Sequence, residues 1–166
     1  MKIRILVLVV AAAAIALAQP LSAANDTKSV TLGATVSATA KLSLSGATAS
    51  FANADPDSVP TITATEGAIT ITAKAKTSAA GVVTLTVQAA ADLVSGSDSI
   101  AITNVTWTVT GSGYAAGTMS KSAAVSVGSW TGSGTKVGTQ TYLLGNSWAY
   151  ATGSYSASAT YTLTAP

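Results

Sequence analysis

Between Val30 and Leu44 apolar and polar residues alternate without a break. Val30, Leu32, Ala34, Val36, Ala38, Ala40, Leu42 and Leu44 are apolar; Thr31, Gly33, Thr35, Ser37, Thr39, Lys41 and Ser43 separate them. A period of two predicts a half-buried β-strand. At about 3.3 Å per residue the run would extend roughly 50 Å, whereas strands commonly hold about 5–6 residues. A pattern this long predicts one of three things. It is one strand that bends and serves two sheets, two strands meeting at a bulge near Gly33 or Ala40, or a strand preceded by an extension that pairs with another subunit. The last reading makes Thr27–Ala38 an exchangeable strand and leaves Ala40–Leu44 to the chain's own sheet.

Further alternation fills the rest of the chain. Ile69, Ile71, Ala73 and Ala75 alternate with Thr70, Thr72, Lys74 and Lys76, and Val83, Leu85 and Val87 with Thr84, Thr86 and Gln88. With Ala79-Ala80-Gly81 between them, 68–76 and 82–88 read as a hairpin. A strand from Ile100 to Val109 changes face near Asn104, which predicts a bulge, and Gly111-Ser112-Gly113 ends it. Weaker strands are expected at 122–128 and 137–144. The last strand sets Tyr155, Ala157, Ala159, Tyr161 and Leu163 against intervening Ser and Thr. Segment 45–62 reads as a long connection with turn chemistry at Asp55-Pro56-Asp57. Ala89-Ala90-Ala91 has the composition for one helical turn before Asp92, but no segment after residue 24 carries a sustained helical period. The expectation is an all-β fold, an antiparallel immunoglobulin-like β-sandwich of about seven to eight strands, with a closed barrel as the alternative.

Upstream of the alternation lies an export signal. Lys2 and Arg4 precede an apolar run from Ile5 to Leu17, and Ser22-Ala23-Ala24 forms a small-residue cleavage site. Residues 1–24 read as a signal peptide and 25–166 as one domain. A retained membrane helix is the rival reading, but the apolar run is shorter than the ~20 residues a span needs. Without cysteine there is no residue to carry a lipid anchor. The formal charge of +2 rests on Lys2 and Arg4; residues 25–166 hold six lysines against six carboxylates and no arginine. That leaves no basic field for nucleic acid.

Catalytic chemistry is thinly represented. With no histidine and no cysteine, Ser-His-Asp and Cys-His catalysis and His- or Cys-based zinc sites are excluded. The scattered carboxylates match no glycosidase motif. Gly132-Ser133-Gly134-Thr135-Lys136 resembles part of a phosphate loop but lacks its spacing, and reads as a hairpin loop. Asp55 with Asp57, or Asp92 with Asp98, offers hard oxygen ligands for calcium without a calcium-loop spacing; turn formation is the simpler role. No enzyme activity, cofactor or metal is expected.

Every Trp and Tyr lies between positions 107 and 161. Trp107, Tyr155 and Tyr161 fall in strand patterns and read as core. Trp130, Trp148 and Tyr150 sit beside Gly, Ser, Thr and Asn, and are either plugs at the ends of a small-residue core or a stacking platform for a sugar. They are the candidate glycan-binding residues.

Two families resemble parts of this chain. The ending Gly153-Ser154-Tyr155-Ser156-Ala157-Ser158-Ala159-Thr160-Tyr161-Thr162-Leu163-Thr164-Ala165-Pro166 is similar to the last strand of bacterial WxL-type cell-surface domains. Trp107-Thr108-Val109 and Tyr161-Thr162-Leu163 stand where those domains carry W-x-L, with Val109 in place of Leu and Tyr161 in place of Trp. This resemblance implies binding to cell-wall polysaccharide. The order of export signal, long alternating N-terminal segment, Thr/Ala/Gly-rich β body and terminal Tyr strand resembles fimbrial subunits of the chaperone–usher kind, many of which carry a disulfide that is absent here. That resemblance implies β-strand addition between copies, with Val30, Leu32, Ala34 and Val36 as partner-binding residues. The combined expectation is a secreted, non-catalytic structural or adhesive protein of the bacterial surface, a fimbria-like fibre subunit, with a WxL-like wall- or glycan-binding module as the alternative. Its expected partners are copies of itself and surface polysaccharide, with no nucleic acid and no transmembrane anchor after cleavage.

Overall fold

The computed structural model describes residues 24–166. Residues 1–23, on which the expected signal peptide falls, lie outside the described residues. The chain divides between Thr35 and Val36 into two units. Residues 24–35 of the first unit form no strand and are exposed; Lys28 Nζ meets Asp26 Oδ1 at 2.8 Å within it.

The second unit is all-β with antiparallel pairing. Its strands are β1 (Thr39–Leu44), β2 (Thr61–Thr63), β3 (Ile69–Lys76), β4 (Val82–Ala89), β5 (Leu93–Ser95), β6 (Asp98–Ile100), β7 (Val105–Thr110), β8 (Gly117–Thr118), β9 (Val125–Thr131), β10 (Gly134–Gly145) and β11 (Ala159–Thr164). One sheet has the order β1-β3-β10-β7-β8, with β2 also on β10; the second has the order β11-β4-β9; β5 and β6 form a small ribbon. The sheets keep open edges, so the barrel alternative does not describe the fold.

Alternation explains the packing. Ile69, Ile71, Ala73 and Ala75 on β3 and Val83, Leu85, Val87 and Ala89 on β4 are all buried in one core. The intervening Thr and Lys residues face outward, where β-branched Thr suits a pleated surface. The central strand is β10. Its first part pairs with β3, its second with β7, and β2 takes over the β3 side at Leu143–Gly145. Tyr114 packs against the core on this sheet, donating from its hydroxyl to the carbonyls of Ile71 (3.3 Å) and Lys136 (3.2 Å). It can do so because Gly138 lies beneath its ring: a Cβ there would stand 2.6 Å from the ring and 2.5 Å from the Thr110 carbonyl.

Four local expectations are corrected. Segments 68–76 and 82–88 are not a hairpin: β3 and β4 lie in different sheets, facing each other through the core. Alternation marks a buried face but not the strand that covers it. Gly132-Ser133 likewise joins β9 to β10 across sheets rather than closing a hairpin, with Gly132 at φ +81°. The change of face near Asn104 is a 3-10 turn, Ile102–Asn104, which interrupts the expected strand and lets Ile102 and Val105 both be buried. The bulge occurs instead where β9 meets β4, between Leu85 and Thr86. Ala89-Ala90-Ala91 ends β4 and forms no helical turn. Asp55-Pro56-Asp57 does form the expected turn, with Asp57 N–H donating to Asp55 Oδ1 at 2.9 Å.

Candidate functional site

The long alternating run is divided by its pairing. From Thr39 to Leu44 each residue has a partner on β3, from Thr39 opposite Lys76 to Leu44 opposite Ile71. From Val30 to Ala38 no residue is in a strand, and Val30, Leu32 and Val36 are 82%, 90% and 75% exposed. Ala34 is exposed too. The four residues singled out for partner binding therefore form an apolar stripe without a sheet to bury it. Their period of two is the pattern of a half-buried strand, here without a neighbour to bury it.

The second unit offers unfilled space of matching character. Between the loop after β1 and the segment before β11 runs an apolar slot of about 370 Å³, lined by Leu44, Phe51, Ile69, Val105, Tyr142 and Tyr161 among others. It continues past Leu93 and Ala157 into a second hollow of about 700 Å³ beside Ile100, Leu144 and Tyr155. No charged side chain lines either space. The slot exists because the second sheet has three strands and leaves part of the broader sheet's inner face uncovered.

One slot wall is pinned by Glu66. Its carboxylate accepts from Ser50 N–H (2.7 Å) and Ser50 Oγ (2.6 Å), bonds that pull its pKa down to about 2. The floor carries a polar chain. Tyr142 and Tyr161 share a hydroxyl–hydroxyl bond, and Tyr161 OH donates to Gln140 Oε1 at 2.7 Å. Burial, and for Tyr161 the nearby Tyr142 as well, pushes both phenols above their ordinary pKa. Gln140 is fully buried and its Nε2 has no partner. An unpaired buried amide costs about 1–3 kcal/mol. Phe51, Leu93 and the Tyr142–Tyr161 pair were not among the expected site residues. Nothing in the linear pattern distinguishes a core residue beneath a full sheet from one beneath a gap.

The three aromatic residues considered for glycan binding do not come together. Trp130 is only 8% exposed and belongs to the core, with its indole N–H unpaired. That corrects its place in an exposed platform. Trp148 is 71% exposed and its Nε1 donates to Asp57 Oδ1 at 3.0 Å. Tyr150 is half-buried and its hydroxyl donates to the Gly145 carbonyl at 2.9 Å. Trp130 precedes β10 and Trp148 follows it, so the twelve residues of that strand separate them, on the order of 40 Å. Trp107 of the first W-x-L-like motif is also buried, with its indole N–H donating to the Ala115 carbonyl at 2.9 Å.

Comparison with protein families, with characterised proteins and with solved structures finds no match for this chain. Physical chemistry alone therefore describes the site. Three of the four carboxylates weighed as calcium ligands hold local structure: Asp55 and Asp57 as above, and Asp92 by pairing with Lys121 and accepting from Ile102 N–H at 3.0 Å. These bonds draw the Asp92 pKa below its ordinary value. Among the described residues no three His, Cys, Asp or Glu side chains cluster to hold a metal, and no helix is long and apolar enough to cross a membrane.

Proposed function

We propose that this protein is a secreted, non-catalytic structural subunit of a bacterial surface fibre, assembled by β-strand addition between copies. One observation carries the reading. The alternating stripe Val30, Leu32, Ala34 and Val36 is exposed and unpaired, while the continuation of the same pattern from Thr39 is paired in a sheet. An added strand gains main-chain hydrogen bonds and apolar burial together. Burying one Val or Leu side chain is worth roughly 1.5–3 kcal/mol, so four alternating apolar residues supply a large driving force. In this reading the sandwich is of immunoglobulin-like type, a framework supported by its two antiparallel sheets around one core. The absence of histidine and cysteine favours a structural role over a catalytic one.

Deletion of residues 25–36 tests the reading. The truncated protein is expected to stay folded, to lose its polymers under negative-stain microscopy, and to bind a synthetic peptide of the deleted sequence. A truncated chain that unfolds without rescue by the peptide, from a parent that forms no polymers, overturns it.

A glycan-binding module is the second reading, favoured by Trp148. Its indole is held by Asp57 in an ordered turn while most of its surface faces solvent. A sugar ring stacked there would meet a rigid aromatic face. Retention on cell-wall polysaccharide, lost in Trp148→Ala, separates this reading from the first.

A further inference from the structure

We infer that the outward face of β1 and β3 carries a binding site for a linear acidic polysaccharide, held by Lys41, Lys74 and Lys76. The site goes beyond strand addition and does not rest on it.

Charge is segregated within the second unit. Its carboxylates are Asp55, Asp57, Glu66, Asp92 and Asp98, and five lysines balance them. The acids gather where β3 starts and the antiparallel β10 ends. Glu66 precedes β3, and Asp57 holds Trp148 just beyond β10. Asp92 follows β4 and accepts from Ile102 N–H, just before β7. Asp98 lies on the ribbon whose Val94 bonds Ser156, before β11 begins. Lys121 joins this end by pairing with Asp92. The other four lysines, Lys41, Lys74, Lys76 and Lys136, stand toward the opposite end of β3, a strand on the order of 25 Å long. Among the described residues none of these four forms an ion pair.

Register makes three of them one patch. Lys41 is directly opposite Lys74, and Lys76 lies two residues further along the same face. Residues opposed in this way hold their Cβ atoms about 5 Å apart, and like charges there destabilise the pair. All three lysines are exposed, while Ala73 and Ala75 beside them are buried on the other face. A bound anion would relieve a repulsion that no carboxylate of this face relieves. Hydroxyls border the charges: Thr39 is opposite Lys76 and Thr135 opposite Lys74, both exposed. Each can donate to and accept from a sugar hydroxyl.

Chemistry narrows the occupant. Residues 25–166 hold no arginine, so the fork that grips a single phosphate is absent, and lysines act as point charges suited to a row of spaced anions. No strand residue on this outward face is acidic or aromatic, so nucleic-acid bases would find nothing to stack on. Three lysines fall short of the cluster of about 4–8 that holds a segment to anionic lipid. A polyuronate chain fits the whole patch. It offers a carboxylate on each ring to the lysines, and ring hydroxyls to Thr39 and Thr135. The patch stands away from Trp148, which lies at the acidic end.

Polygalacturonate is the probe, with neutral dextran as its uncharged counterpart. The protein is expected to bind polygalacturonate in low salt, to release it at about 1 M sodium chloride, where the screening length is about 3 Å, and to ignore dextran. Lys41→Gln/Lys74→Gln/Lys76→Gln should weaken binding by about tenfold, as three solvent-exposed charge contacts would. Its melting temperature should not fall, because a repulsion has been removed. The corresponding triple arginine variant should keep the binding, and so should Lys28→Gln and Trp148→Ala. Absence of binding by the parent, a triple glutamine variant that binds as tightly as the parent, or an equal loss in Lys28→Gln overturns the site. Duplex DNA or phosphatidylserine vesicles bound as tightly as polygalacturonate overturn the polysaccharide as its occupant. Fibre assembly is read separately, since the triple glutamine variant leaves Val30–Val36 untouched.

Discussion

Ser133 and Thr77 bind each other twice. The Ser133 hydroxyl accepts from the Thr77 backbone N–H and donates to its carbonyl, both at 2.8 Å. Ser133 belongs to the crossover from β9 to β10, and Thr77 to the crossover from β3 to β4. A third bond, from Gly132 N–H to the Gly81 carbonyl at 2.8 Å, lies beside them. Two of the places where the chain passes between sheets are thus stitched together. Ser133→Ala should cost about 1–3 kcal/mol, at about 1 kcal/mol net per hydrogen bond lost plus exposure of the orphaned groups. Equilibrium urea unfolding measures it, and a loss below 0.5 kcal/mol, on the order of an ordinary surface change, would show the stitch to be unimportant.

Trp130 and Trp148 should respond oppositely. Trp130→Ala removes a buried indole and is expected to cost about 3–5 kcal/mol. Trp148→Ala removes an exposed ring with one hydrogen bond to Asp57 and should cost about 0.5–1.5 kcal/mol. Thermal melting of the two variants side by side checks the contrast. Equal losses would mean that Trp148 is a core residue and no candidate for sugar stacking.

Gly138→Ala should destabilise the sheet despite its small size. The new methyl would stand 2.5 Å from the Thr110 carbonyl and 2.6 Å from the Tyr114 ring. Overpacking of this kind costs about 1–3 kcal/mol. Tyr114→Ala in the same background removes the ring and should recover part of that loss, while the clash with Thr110 remains. A double mutant whose losses merely add would show that the ring and Gly138 are not in contact.

Acid should release the loop that walls the slot. Glu66 has its folded-state pKa lowered from 4.5 to about 2 by bonds to Ser50. A depressed carboxyl pKa contributes stability that is fully present above the unfolded value and is lost as pH falls through the folded one. Between about pH 4.5 and pH 2 the Ser50 amide should lose its protection from hydrogen exchange. Glu66→Gln should show the same loss at neutral pH. Protection unchanged at pH 2 would rule out Glu66 as the anchor.

Leu32→Asp should abolish fibre formation while leaving the melting temperature of the isolated subunit unchanged. Leu32 is 90% exposed, so a charge there costs nothing in the free subunit, and burying that charge in a docked strand is prohibitive. Sedimentation and differential scanning calorimetry read the two effects separately.

Local alternation determined the apolar faces of β3 and β4. Ile69, Ile71, Ala73 and Ala75, and likewise Val83, Leu85 and Val87, are buried as their period of two requires. The same period could not say that β3 and β4 face each other across the core, because side-by-side and face-to-face strands bury the same stripe. Nor could it say where Val30–Leu44 changes from free to paired, since the pattern is identical on both sides of Thr39. Trp130 and Trp148 sit in similar small, polar surroundings in sequence, yet one is buried and the other exposed. The slot between Leu44 and Tyr161 is likewise a tertiary fact. It arises from a three-stranded sheet laid over a broader one, and strand number per sheet is set by long-range pairing that no local window contains.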